Sequence, residues 1–272
     1  MRISSDKKHW SGFQIPRKRL RSVPIYKNTN SFPQLNLSLV QYSRVDLFKN
    51  ITFPRFLTPQ LAEEIGIHYG DGFLSKTRNE FRVKGHKIDE RTYYDLHIKK
   101  LYKSLFNINL PLKDYEDTYG FELTSKALWT FKTNVLGITP GRKTHIRLPE
   151  LLKTTDLRLT IAFLRGLFDT DGTVVFASKY GYEKYYPKIE IWQRSTTFAR
   201  EAASLLQMLG FEPLLYSQPH WDGLGIFLYG YYRFSRFYHL IGFHNPKHLA
   251  RIKQWQLRYP DLSRKVLHLE KV

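Results

Sequence analysis

The sequence predicts an α+β protein built from two similar units, each in the order helix, two strands, helix, two strands, helix. The prediction depends on three observations. First, residues 161–172 (IAFLRGLFDTDG) repeat residues 61–72 (LAEEIGIHYGDG) without gaps, at an offset of 100. Second, apolar residues recur at helical spacing in both segments. Third, residues 188–194 alternate with a period of two, as in a strand with one buried face.

The repeat extends beyond these two segments. Leu136-Gly137-Ile138 matches Ile241-Gly242-Phe243, and Gly120 matches Gly225, both at an offset of 105. An offset that grows by five along the chain indicates a duplicated unit with a small loop insertion. We therefore expect a first unit at 57–141 and a second unit at 157–244, related by a pseudo-twofold axis.

The remaining residues supply the connections. We predict a basic N-terminal arm at 1–56, a linker at 142–156, and a basic helix with a tail at 245–272. The first thirty residues hold eight Lys or Arg against one Asp, and they show no helical period. This arm is either a nucleic-acid contact or a solvated tail.

Composition restricts the class of partner. The 272 residues are 42% hydrophobic and 15% aromatic, which is enough for a folded core, and their formal net charge is +19. So large a positive charge points to a polyanion, either nucleic acid or an acidic membrane surface. The sequence holds no apolar run of about 18 residues, so we expect no membrane span and an intracellular, cytoplasmic location.

Residue types that are missing exclude several chemistries. The chain has no Cys, which rules out disulfides, Cys-ligated zinc, Fe–S clusters and thiol nucleophiles. None of the histidines has the HExxH spacing, so we predict no zinc site. Neither a nucleophile elbow nor a phosphate-binding glycine loop occurs.

The two repeated segments begin and end as helices do. Thr58 caps a helix whose first residue is Pro59, and Asp156 has the same role in the second unit. Both helices are expected to end at an Asp-Gly pair, at 71–72 and 171–172, where a left-handed glycine stops the helix.

Strands and further helices follow in each unit. In the second unit we predict strands at TVVFAS (173–178) and KIEIWQR (188–194), and in the first unit at FRVK (81–84) and YYDLHI (93–98). Helices are expected at about 99–107 and 196–209. A last basic helix begins at Asn245-Pro246 and extends to about Tyr259.

A stripe of small residues runs along each of the two repeated helices. The stripes comprise Ala62, Gly66 and Gly70 in the first helix, and Ala162, Gly166 and Thr170 in the second. Small side chains let two helix backbones approach closely. If the stripes face each other, Asp71 and Asp171 arrive side by side at the helix ends.

Two adjacent carboxylates repel each other, and the helix C-termini add partial negative charge. A divalent cation relieves this repulsion, and Mg²⁺ takes carboxylate, carbonyl, water and phosphate oxygens. Such a site on a nucleic-acid-binding protein predicts phosphodiester hydrolysis. The alternative is that each Asp-Gly pair is only a helix stop, in a plain α+β binding domain.

At these residues the sequence resembles the LAGLIDADG homing endonucleases. FLRGLFDTDG (163–172) is close to the family motif, GIHYGDG (66–72) is a looser form, and the resemblance covers roughly 57–258. It implies motif helices at the interface of the units and antiparallel sheets that form a saddle over the DNA major groove. It also implies that Asp71 and Asp171 bind Mg²⁺ or Mn²⁺, with the carbonyls of Gly70 and Thr170 as further ligands.

The resemblance also implies a polar or basic residue near the metals at the end of the second strand. In the second unit this position falls on Gln193 and Arg194, and in the first unit on Ile98 and Lys99, where Ile98 departs from the family pattern. Some members have a lysine soon after the motif aspartate. Thr173 and Val174 stand there in the second unit, so this lysine is either absent or supplied by Lys188 or another residue.

A charged and aromatic strand face can read base edges in the major groove, while basic residues elsewhere hold phosphates. The residues that we predict to contact DNA are Arg78, Arg82, Lys84, His97, Lys188, Glu190 and Trp192.

Members of the family with two motifs in one chain act as monomers on long asymmetric sites and cut both strands of double-stranded DNA. Some relatives instead assist splicing as RNA maturases that bind intron RNA, and others are DNA-binding regulators that no longer cleave. Both motif carboxylates are present here, which favours cleavage. An excised intein is disfavoured, because the chain starts with Met1 and ends with Glu-Lys-Val, so we expect a free-standing or intron-encoded protein.

Overall fold

A computed structural model of the protein describes residues 32–154, 156–179 and 184–268. The predicted α+β class and the two αββαββα units are confirmed. The basic stretch at 1–31 lies outside the described residues. Residues 32–56, which we assigned to the arm, pack on the first unit: Leu35 is buried, and the Asp46 carboxylate accepts hydrogen bonds from Ser125 Oγ and the Ala127 backbone.

The first unit starts after two short helices, a 3₁₀ turn at Leu37–Leu39 and α1 at Arg44–Phe48. Its elements, in chain order, are α2 (Pro59–Asp71), β1 (Gly72–Leu74), β2 (Glu80–His86), α3 (Arg91–Tyr93), a π-helical turn (Tyr94–Ile98), α4 (Lys99–Phe106), β3 (Lys113–Asp114), β4 (Thr118–Thr124), α5 (Lys126–Thr130) and a second π-helical turn (Phe131–Val135).

The second unit follows a 3₁₀ turn at Glu150–Leu152. Its elements are α6 (Leu157–Thr170), β5 (Gly172–Ala177), β6 (Tyr186–Gln193), α7 (Thr196–Met208), β7 (Leu214–Tyr216), β8 (Leu224–Tyr229) and α8 (Tyr231–Leu240). Two helices come after it, α9 (Pro246–Arg258) and α10 (Pro260–Leu267). The predicted N-caps Thr58, Asp156 and Asn245 all accept a hydrogen bond from the first turn of their helix.

Each unit has one antiparallel four-stranded sheet, and the two sheets have the same topology. The strand orders are β1-β2-β4-β3 and β5-β6-β8-β7. Lys84 pairs with Gly120 in the first sheet, and Trp192 pairs with Gly225 in the second. The repeated glycines therefore occupy the same register position, as the offset of 105 predicts.

One predicted strand is wrong. YYDLHI (93–98) lies in the helix that runs from α3 through the π-helical turn into α4. The buried residues Tyr94, Ile98 and Tyr102 recur every four positions, which is a helical period. The first two strands of the unit are instead β1 and β2, so FRVK is part of the second strand.

The helices α2 and α6 pack against each other along their length at the junction of the units. A Cβ atom on Gly66 would lie 2.1 Å from the Phe163 carbonyl oxygen, and one on Gly166 would lie 2.1 Å from the Glu63 carbonyl oxygen. These distances leave no room for a methyl group. The small-residue stripes thus do bring the two backbones into direct contact.

The reason for the glycine after each aspartate differs from our expectation. Gly72 has φ −83° and ψ 159°, an extended conformation, so it is not a left-handed helix stop. The strands β1 and β5 begin directly at Gly72 and Gly172. A Cβ there would lie 2.6 Å from the His68 carbonyl oxygen or 2.4 Å from that of Phe168, so close backbone approach requires glycine at both positions.

Two buried histidines make the fold sensitive to acid. Burial, together with nearby Lys247, lowers the pKa of His248 to about 3, and burial with nearby Lys132 lowers the pKa of His68 well below its ordinary value. In the unfolded chain both take up a proton near pH 6.5, whereas in the native protein they stay neutral. At these two sites the unfolded state then binds more protons, so each histidine contributes a loss of stability as the pH decreases below about 6.5.

We expect each histidine to cost about 1.4 kcal/mol of unfolding free energy per pH unit between pH 6.5 and pH 5. Urea unfolding measured from pH 8 to pH 5 checks this. A His248→Gln variant should lose less stability across that range than the wild type. Parallel pH profiles for the two proteins would contradict the assignment of His248.

In the part of the chain that the structure describes, no helix combines the length and the apolar character needed to cross a bilayer.

Candidate functional site

The site is centred on two aspartates at the ends of the packed helices. Asp71 is the last residue of α2, and Asp171 directly follows α6. Burial raises the pKa of Asp71 well above its usual range, and the negative charges of Glu90 and Asp171 raise it further. Burial likewise raises the pKa of Asp171, although Lys143 and Gln193 oppose the effect. The predicted juxtaposition of charges is therefore present.

The two aspartates have different polar partners. The Asp171 Oδ2 atom accepts a hydrogen bond of 2.8 Å from Gln193 Nε2, at the end of β6. The Asp71 Oδ2 atom accepts one of 2.9 Å from the Tyr94 hydroxyl. Each aspartate is thus held by one neutral donor, but the donors come from unrelated positions.

Strand register explains the asymmetry. Gly72 pairs with Val83, and Gly172 pairs with Ile191, so Gly85 is the counterpart of Gln193. A Cβ on Gly85 would lie 2.2 Å from Glu90 Oε2 and 2.9 Å from Asp71 Oδ2. The space that Gln193 fills in one unit is taken in the other by the side chain of Glu90.

Glu90 adds a third carboxylate to the site. It is 3% exposed and accepts hydrogen bonds from the His86 backbone (2.6 Å), Asn245 Nδ2 (3.1 Å) and Lys247 Nζ (2.5 Å). Since Asn245 and Lys247 follow the second unit, Glu90 also ties the two units together.

Two lysines lie at the ends of the motif helices in equivalent positions. Lys143 Nζ donates to the carbonyl oxygens of Tyr69, at 3.0 Å, and of Gly70. Lys247 Nζ donates to the carbonyl oxygen of Thr170, at 3.0 Å. Burial lowers the pKa of Lys143, while Asp171 and Asp71 raise it. The two ammonium groups face the aspartate pair and offset part of its charge.

These residues suit a hard divalent cation. The donors are carboxylate and carbonyl oxygens, and desolvation with like-charge repulsion destabilises the ionised aspartates until a cation is bound. The carbonyls of Gly70 and Thr170, which we predicted as metal ligands, instead accept hydrogen bonds from Lys143 and Lys247.

Several predicted catalytic residues lie away from the aspartate pair or at the edge of the site. Lys99 is exposed at the start of α4, and Ile98 is buried in the preceding helical turn, so neither ends a strand beside the metals. The cations that act on Asp71 and Asp171 are Lys143 and Lys247. Arg194 has an exposed side chain just beyond Gln193.

Most predicted DNA contacts share the half-exposed faces of the middle strands. Arg82 and Lys84 project from β2, where both contact Glu122, at 3.7 Å and 2.5 Å. Lys188 and Glu190 pair at 2.7 Å on β6. Trp192 lies on the same face, edge-on to three aromatic rings: Tyr216, Trp221 and Phe227. Arg78 is exposed just before β2.

His97 is not on a strand. It lies in the π-helical turn, where its ring stacks on Tyr93 and its Nε2 atom is 2.7 Å from Glu63 Oε1. The placement follows from the wrong strand at 93–98, because a strand would have put His97 on the sheet face.

Sequence reasoning missed four residues of this site: Tyr94, Glu90, Lys143 and Lys247. A signal for the lysines was present, since Lys143 and Lys247 follow the repeated Gly137 and Gly242 by six and five residues. No comparable signal pointed to Tyr94 or Glu90, which reach Asp71 only through the course of the helix after β2.

A sequence profile of the LAGLIDADG-like domain matches residues 159–242, which include α6 and the whole second sheet. This segment is similar to the LAGLIDADG-like domain. The first unit has the same topology, and the predicted resemblance to the LAGLIDADG family is confirmed.

Two solved structures are similar to this chain. The homing endonuclease I-DmoI in complex with DNA and calcium matches with a TM-score of 0.51 and 19% identity, covering 73% of this chain and 98% of that chain. I-SmaMI bound to an uncleaved DNA target with calcium has a TM-score of 0.49 and 11% identity, covering 78% and 95%. At 19% identity the I-DmoI match shows the fold alone.

Two curated relatives share part of the sequence. Glutamine–fructose-6-phosphate aminotransferase of Methanocaldococcus jannaschii is 29% identical over 163 residues, and the tRNA-splicing ligase RtcB of Methanopyrus kandleri is 29% identical over 181 residues. The matches cover 59% and 57% of this chain but only 14% and 18% of those proteins. The two names describe unrelated reactions, so neither activity is carried over to this chain.

Proposed function

We propose that this LAGLIDADG protein is a site-specific DNA endonuclease that hydrolyses both strands of a duplex with a divalent cation, Mg²⁺ or Mn²⁺. The observation that carries the proposal is the pair Asp71 and Asp171, brought together at the junction of two equivalent sheets. The DNA named in the I-DmoI and I-SmaMI complexes supports duplex DNA as the partner.

The two sheet faces suit a long and asymmetric site. One face presents Arg82 and Lys84, whereas the other presents Lys188, Glu190 and an aromatic cluster around Trp192. Cationic and acidic side chains read different base edges in the major groove. The faces differ, so the two halves of the recognition sequence should differ as well.

The net charge of +19 supports binding to the phosphate backbone. Each phosphate that a Lys or Arg neutralises releases counterions, so affinity for duplex DNA should fall steeply as salt increases. This dependence is expected for any sequence, because the phosphate contacts carry no base information.

The chemistry assigned to the site is direct hydrolysis without a covalent enzyme intermediate. A divalent cation, when bound, supplies positive charge to the scissile phosphate and lowers the pKa of a water molecule. Asp71 and Asp171 would hold it, while Tyr94 and Gln193 fix the orientation of their carboxylates. Lys143 and Lys247 place positive charge beside the phosphates and stabilise the charge that develops on them.

The two lysines give a specific prediction. We expect Lys143→Met and Lys247→Met each to lower the single-turnover cleavage rate by about 10²-fold, the scale for removing one preorganised electrostatic group. Duplex affinity, measured in Ca²⁺, should change little. Lys99→Met is the matched control and should cleave at the wild-type rate. If Lys99→Met lowered the cleavage rate as much as the other two variants, the roles assigned to Lys143 and Lys247 would be contradicted.

The function itself is tested with the purified full chain and a plasmid library of long randomised inserts. Linearised molecules are sequenced after incubation with Mg²⁺ or with EDTA. We expect one long, partly degenerate site that is cut only with metal. Salt-sensitive binding to duplex DNA without any cleavage would overturn the endonuclease, and stronger binding to structured intron RNA than to duplex DNA would favour a maturase.

A further inference from the structure

We propose that Glu63, His97 and His244 form a second metal site, specific for a transition metal such as Zn²⁺, that joins the two units. Glu63 lies in α2, His97 in the π-helical turn of the same unit, and His244 at the end of the second unit, just after α8. The three residues are far apart in sequence, which is why their spacing predicts no site.

The ligand atoms converge on one point. His97 Nε2 and His244 Nδ1 both lie 2.7 Å from the same oxygen, Glu63 Oε1. The three atoms all lie within 4.8 Å of one another. Zinc bonds of about 2.0–2.1 Å separate neighbouring tetrahedral ligands by about 3.3 Å, so each ring needs to withdraw by only about half an ångström to admit the ion.

The two imidazole rings lie close together at the junction of the units. Their centroids are 4.4 Å apart, and each ring places a nitrogen beside the same carboxylate oxygen. A metal ion binds neutral imidazoles and an ionised carboxylate at the same time, so it can take the place of these hydrogen bonds.

The surroundings orient the three ligands. The His97 ring stacks on Tyr93, with centroids 5.3 Å apart and planes inclined by 7°. Arg165 Nη1 lies 3.9 Å from the second carboxylate oxygen, Glu63 Oε2, and Arg165 Nε donates to the Ile241 carbonyl at 2.6 Å. Glu63 is thus left to bind a metal through Oε1 alone.

The site has an open coordination position. The Glu63 side chain is 6% exposed, whereas those of His97 and His244 are 28% and 41% exposed. Solvent can therefore reach the point where the ligands converge and supply a water as the fourth ligand. Three protein ligands and one water complete a tetrahedral zinc shell.

This donor set selects a different ion from the aspartate pair. Imidazole suits zinc, copper, nickel and iron, whereas carboxylate and carbonyl oxygens suit Mg²⁺. Glu63 precedes Asp71 by eight residues in the same helix, about 12 Å along its axis. The proposed site is thus separate from the nuclease site, and it does not depend on the proposed function.

The expected role is to hold the units together. Glu63 and His97 belong to the first unit, and His244 leads into α9, so a bound ion fastens the end of the second unit to α2. A ligand that binds only the folded state raises thermal stability with the logarithm of its concentration once that concentration exceeds the dissociation constant.

The test uses the full chain with Asp71→Asn and Asp171→Asn, so that the nuclease site is disabled. Co²⁺ is titrated and followed by its visible absorption, and Zn²⁺ then displaces it. We expect one equivalent to bind with the intense bands of a tetrahedral complex, and the melting temperature to rise. His97→Ala and His244→Ala should each weaken binding by at least the roughly 100-fold seen when a metal ligand loses its support.

His86→Ala is the matched control, since His86 also lies beside a carboxylate, 3.4 Å from Asp89, but on the surface and without a second histidine. It should leave binding unchanged. Glu63→Gln keeps the shape of the side chain but removes its negative charge, so it should also weaken metal binding. It tests the site if His97→Ala or His244→Ala fails to fold. Absence of saturable Co²⁺ and Zn²⁺ binding, or equal affinity in the histidine variants and the control, would overturn the proposal.

Discussion

We expect Asp71→Asn and Asp171→Asn each to lower the rate of double-strand cleavage by about 10³-fold or more while leaving duplex affinity within a few-fold of the wild type. Asn has the shape of Asp but lacks its charge, and the loss of a group that acts electrostatically at the reacting phosphate is costly on this scale. Single-turnover cleavage in Mg²⁺, with binding measured in Ca²⁺, checks both parts.

The same substitutions should stabilise the fold. Burial raises the pKa of both aspartates, which means that the native protein disfavours their charged forms. Removing either charge relieves repulsion with the other aspartate and Glu90, so we expect a higher melting temperature in EDTA. This is the trade of stability for activity that functional sites commonly show.

Asp89→Asn supplies the control, because Asp89 is an exposed acid whose ion pair among the described residues is with His86. It should change neither cleavage nor the melting temperature. The assignment of the two aspartates fails if either variant cuts both strands at the wild-type rate.

The second large effect concerns the helix interface. We expect Gly66→Ala and Gly166→Ala each to lower the free energy of unfolding by about 3 kcal/mol, the upper range for overpacking a core. Each new methyl carbon would lie 2.1 Å from a carbonyl oxygen of the opposite helix, and a backbone cannot yield as a side chain does. Urea unfolding measures the loss.

The sign of the change in unfolding free energy makes the test decisive. In a helix free of such contacts, Gly→Ala stabilises by about 1 kcal/mol. Ser204→Ala, on the exposed side of α7, is the control for helix propensity and should stay within about 0.5 kcal/mol of the wild type. A neutral or stabilising Gly66→Ala would contradict the close packing of α2 and α6.

The Gly66 and Gly166 variants should also cut more slowly than their stability alone explains. Separating the helices moves Asp71 away from Asp171, and displacements of about 1 Å cost about 10²-fold in positioned catalysis. Cleavage measured well below the melting temperature, where the variants are folded, separates this effect from unfolding.

Local patterns were sufficient for the repeated helices and for the strands β2, β5 and β6. Thr58-Pro59 and Asp156 place the starts of α2 and α6 because a cap acts within one turn. The alternation at 188–194 places β6 because its apolar face meets the core at every second residue. At 93–98 the aromatic and β-branched residues suggested a strand, but the segment is helical in the structure, where it packs against α2 and β2.

The sequence by itself determined the two-unit organisation, the paired aspartates and the positive charge. The first two follow from residue types repeated at a regular spacing, and the charge follows from composition. Only the tertiary structure decided what surrounds the aspartates. Glu90 takes the space beside Gly85, Lys143 and Lys247 reach the helix ends from separate segments, and His97 meets His244 across the junction of the units. These contacts join residues that are distant in sequence. They depend on how helices and loops pack in three dimensions, and a periodic pattern along the chain does not predict them.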